Sequence, residues 1–105
     1  MFEREKKSLQ ALHLIAQDKK RYSAEDIETM AGVYRDYAAI LTKLFKNQPN
    51  VFGNLRKYNL DEIKNHKRNI AKVESQTEKE QHFDLYQESI EHTIESTISY
   101  IEDYV

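Results

Sequence analysis

The side chains best suited to chemistry in this 105-residue chain are four histidines and eighteen carboxylates. Glu88 and His92 stand four residues apart, a spacing that puts two metal ligands on one helix face. His13, His66 and His82 are scattered elsewhere. A carboxylate-bridged di-metal bundle needs Glu-x-x-His pairs on facing helices. No histidine here has a glutamate three residues before it. There is no cysteine, which excludes disulfides, thiolate metal sites and cysteine nucleophiles. Phosphate-binding glycine loops, nucleophile elbows and zinc-protease motifs are missing as well. His66, within NHKRNIAKV, falls on the apolar side of its segment. That suits a satisfied, partly buried residue better than a phosphotransfer group. The expectation is a protein with no catalytic residue, no metal and no cofactor; a metal-binding helical bundle is the weakest alternative.

Charge is the stronger signal. The net charge of −2 conceals three blocks. Residues 1–42 are neutral, residues 43–72 carry a net +6 and residues 73–105 a net −8. In the last block Asp84, Glu88, Glu91, Glu95 and Glu102 fall within about 60° on one helix face and span about 27 Å. Such a ladder is either a solvated face or a docking surface for a protein partner with a basic surface, where carboxylates stand in for nucleic-acid phosphates. In the middle block Lys64, Arg68 and Lys72 form an i,i+4 row, with Arg56 and Lys57 before it. This row is expected to pair with the acidic helix and so select its antiparallel neighbour. Its alternative use is nucleic-acid binding, although no aromatic residues interleave with the charges as a single-strand platform would need.

These surfaces have to be positioned by helices. Two glycines and one proline leave little material for turns, and charged residues, mostly Glu and Lys, make up 32%. Apolar periodicity predicts helices over about 2–20, 24–46, 60–74 and 77–104, with a loop over 47–59. Ser23 is a cap for the second helix, and Asn59 with Glu62 reads as a capping box for the third. The second helix has an apolar arc wide enough to touch several neighbours, from Ile27 and Met30 to Leu44 and Phe45. Val51 and Phe52, apolar residues in NQPNVFGN, are expected to plug one end of the core. If 60–104 were one straight helix, its two apolar stripes would face roughly opposite ways. Ser75-Gln-Thr-Glu78 is a second capping box, so the chain is expected to reverse there.

The fold expected is all-α: a single helical domain over 1–105, an antiparallel four-helix bundle with up-down-up-down topology. The alternative is a three-helix arrangement with a long kinked C-terminal helix, possibly dimeric. No apolar run is long enough to span a membrane, and the charged MFEREKKSLQ does not read as a secretory signal, so a cytoplasmic location is expected. The function expected is non-catalytic macromolecular binding through the acidic face, as in an inhibitor, immunity or regulatory protein, by a monomer or homodimer.

Overall fold

The structure, a computed structural model, describes residues 2–18 and 20–104, without the side chain of Tyr104. Four helices follow one another: α1 (Glu3–Gln17), α2 (Ala24–Asn47), α3 (Pro49–Lys72) and α4 (Gln76–Tyr104). Each packs on its chain neighbours, α4 closes on α1, and α2 also reaches α4 across the middle. The result is the antiparallel four-helix bundle that the periodicity implies, 45 Å long. Among the described residues no helix is long and apolar enough to cross a membrane.

The helix starts follow from local chemistry. The Ser23 hydroxyl accepts from the Asp26 amide at 3.1 Å, and Glu25 and Asp26 sit at the positive end of the α2 dipole. Between α3 and α4 the backbone becomes extended at Val73, with φ −91° and ψ 153°. Ser75 then forms the capping box: its hydroxyl accepts from the Glu78 amide and donates to the Glu78 carboxylate, both at 3.1 Å. The Lys79 ammonium reaches back to the Ile70 carbonyl at 3.0 Å, serving the last turn of α3. The long kinked helix is thereby ruled out.

The loop over 47–59 is a correction. Only Gln48 separates α2 from α3. Pro49 occupies the first helical turn, where a missing N–H costs nothing. Gly53 keeps a negative φ and lies beside the Phe45 ring. Burial outweighs the turn-forming composition here: Phe52 is 1% exposed and stacks edge-on to Phe2 and Tyr100, with centroids 5.8 and 5.7 Å apart. The Tyr100 hydroxyl donates to the Val51 carbonyl at 2.9 Å. Val51 and Phe52 do close one end of the core, but from inside a helix. Asn59 is likewise no cap. It lies in mid-helix and gives its amide to Tyr37.

The core runs the length of the bundle, through Leu9, Leu12, Met30, Tyr37, Leu41, Leu44, Ile63, Ile70, Tyr86, Ile90, Ile94 and Ile101. Two aromatic groups close its ends, Phe2–Phe52–Tyr100 at one and Tyr22–Phe83–Tyr86 at the other. Between them lies a polar knot. The Tyr37 hydroxyl meets Thr97 Oγ1 at 2.8 Å, and Thr97 donates to the Thr93 carbonyl at 2.8 Å. Gln87 is also buried. Its amide donates to the Ala16 and Asp18 carbonyls at 3.1 and 2.6 Å and accepts from the Lys20 amide at 3.3 Å. One side chain of α4 thus satisfies carbonyls that the end of α1 leaves open.

Candidate functional site

The fixed charges exposed on α4 are acidic, with Gln81, Leu85, His92, Ser96 and Ser99 exposed among them. Asp84, Glu88, Glu95 and Glu102 are exposed, and Glu91 is half-buried. The five do not all face open solvent. Three of them lie along the α1–α4 seam, where Glu102 pairs with Lys6 at 3.1 Å and Glu91 and Glu95 approach His13. Among the described residues Asp84 and Glu88 take part in no ion pair. Lys79, the one lysine of α4, is turned toward α3.

The basic row of α3 does not pair with α4, contrary to expectation: among the described residues no ion pair links the two helices. The reason is geometric. The i,i+4 row of Lys64, Arg68 and Lys72 lies opposite the Ile63–Ile70 stripe, so the apolar contact that joins the helices turns these charges outward. Lys57, Lys64, Arg68 and Lys72 are all exposed. Arg56 departs from the row. Its Nε donates to Thr42 Oγ1 at 3.2 Å and its guanidinium lies 5.5 Å from the centre of the Phe45 ring, tying α3 to α2.

The histidines fall in three places. Glu88 and His92 share an α3–α4 groove of about 250 Å³ with Glu62, His66, Leu85 and Ser89. His66 Nδ1 and Ser89 Oγ are buried without a hydrogen-bond partner among the described residues, so the expectation of a satisfied His66 is corrected: the polar side chains that line the groove do not bond to Nδ1. His82 Nδ1 is in the same position. On the opposite side of α4, His13 Nε2 stands 3.9 Å from both Glu91 Oε1 and Glu95 Oε2. Nε2 is shut off from solvent and has no hydrogen-bond partner, because both contacts are too long to count as one.

His13 is the residue that sequence reasoning missed. Its signal is faint: an imidazole just beside the Leu9–Leu12–Ala16 stripe, and two glutamates one turn apart 78 residues later. Which residues of α1 meet which of α4 is a matter of register, and periodicity within one helix carries no register. Compared with protein-family models, curated proteins and solved structures, the chain matches none of them.

Proposed function

We propose that this protein acts without catalysis, by binding a macromolecule with a basic surface through the outer face of α4, as a cytoplasmic inhibitor, immunity or regulatory protein would. The observation that supports this reading is that Asp84 and Glu88 stand exposed with no ion-pair partner among the described residues, on a helix whose one lysine is turned away. A strip of one sign raises the local concentration of oppositely charged partners and speeds their encounter. The test is capture of a partner from the native host at graded salt. Asp84→Lys with Glu88→Lys should abolish capture, while Lys64→Glu with Arg68→Glu should leave it intact. The reverse pattern overturns the reading.

One further observation favours a second reading. Among the described residues Lys57, Lys64, Arg68 and Lys72 also form no ion pair, and an exposed cationic row about 22 Å long suits nucleic-acid phosphates. Binding of this kind weakens steeply with salt and fails in Lys64→Glu with Arg68→Glu.

A further inference from the structure

His13, Glu91 and Glu95 bring one imidazole nitrogen and two carboxylate oxygens within 4.8 Å of one another, from two helices. Neutral imidazole and carboxylate are the ligand types taken by zinc and its first-row neighbours. Around a tetrahedral ion with arms of about 2.1 Å, ligand atoms lie about 3.4 Å apart. The two His13 contacts, at 3.9 Å, are therefore about half an ångström too wide. Both carboxylates have to shift to close that gap: the Glu95 side chain is 61% exposed and free to change rotamer, and Glu91, 32% exposed, must move with it.

Two features separate this triad from an ordinary acidic cluster. The first is His13 Nε2, a buried ring nitrogen with no hydrogen-bond partner. Buried polar atoms in native proteins are nearly always satisfied, and an ion between the three groups would satisfy this one. The second is the field. Glu88 and Glu102 flank Glu91 and Glu95 on the same helix, and Lys6 of α1 is engaged with Glu102. Cations are drawn to such a place.

We propose that His13, Glu91 and Glu95 bind one divalent transition-metal ion of the zinc type, which clamps α1 to α4, with water completing the coordination shell on the open side. The proposal is independent of what the outer face of α4 binds, because it concerns one chain and one ion. The imidazole selects against Mg2+ and Ca2+, which take oxygen ligands.

The test is titration of the chelator-treated full chain with zinc, followed by calorimetry, and with cobalt, followed by visible absorption. One ion should bind per chain, raise the melting temperature and survive millimolar Mg2+. His13→Gln and Glu95→Gln should each weaken it at least tenfold and remove the cobalt bands, whereas Glu28→Gln, on α2, should leave both unchanged. Glu95→Gln changes an exposed side chain, so it separates ligand loss from misfolding, and far-UV circular dichroism of each apo variant checks this. Absence of saturable zinc, several weak sites, or equal affinity in Glu95→Gln overturns the proposal.

Discussion

The Asn59 side-chain amide donates a 3.0 Å hydrogen bond to the phenol oxygen of Tyr37, joining the middle of α3 to the middle of α2. The same phenol meets Thr97 of α4 at 2.8 Å, so one ring hydroxyl links three helices inside an apolar core. Thr97 gives its own proton to the Thr93 carbonyl, which leaves the Tyr37 proton to bridge the pair. Tyr37→Phe would take from Asn59 its acceptor and from Thr97 one of its two partners. It should cost about 1–3 kcal/mol in urea denaturation. In a double-mutant cycle with Thr97→Val the two losses should fall short of additive. Additive losses would mean that the knot is not coupled.

Tyr86 makes the opposite prediction. Its ring is fully buried and its hydroxyl has no partner. Tyr86→Phe removes an unsatisfied polar atom at constant shape, so the variant should be as stable as the parent or more stable by about 1 kcal/mol. A clear loss of stability in urea would show that the hydroxyl has a partner after all.

The same residue sets an alkaline limit. Burial, with a smaller contribution from Tyr34, pushes the Tyr86 hydroxyl up to about 12, and burial also raises Tyr37 against the pull of its hydrogen bonds. The folded state therefore holds protons that the unfolded chain releases from about pH 10. This contribution to stability is complete below pH 10 and is lost as pH rises toward 12. The urea midpoint should be flat in this respect up to pH 10 and then fall, and Tyr86→Phe should fall less.

Much of the fold was readable from residue pattern alone, because capping and amphipathicity are local. Ser23 and Ser75 do in space what their sequence contexts imply. Pro49, Gly53 and Asn59 misled for a shared reason: each has a turn-forming habit that burial of Phe52 and the demand of Tyr37 override. The acidic and basic faces were legible as stripes. Whether they would touch was not, since pairing depends on the angle at which α3 and α4 roll together. His13 shows the same limit, because a contact between residues 13 and 91 is a property of packing.

Gln87→Ala should be among the more damaging single changes on α4. It takes the Gln87 donor from the Ala16 and Asp18 carbonyls, of which Asp18 keeps only the Lys20 ammonium, and leaves the Lys20 amide without its acceptor. A loss of about 2 kcal/mol is expected. Hydrogen exchange should speed up first in α1. Uniform acceleration across all four helices would argue against a local role.

The Gln87 clamp also orders events on the ribosome. The Ala16 carbonyl leaves the exit tunnel early, yet the amide that receives it is translated 71 positions later. Meanwhile α2 and α3, hinged at Gln48 alone, can zip together as soon as both have emerged. Of these four helices α1 is thus the one that must wait, undocked along its α4 side, until α4 has been made.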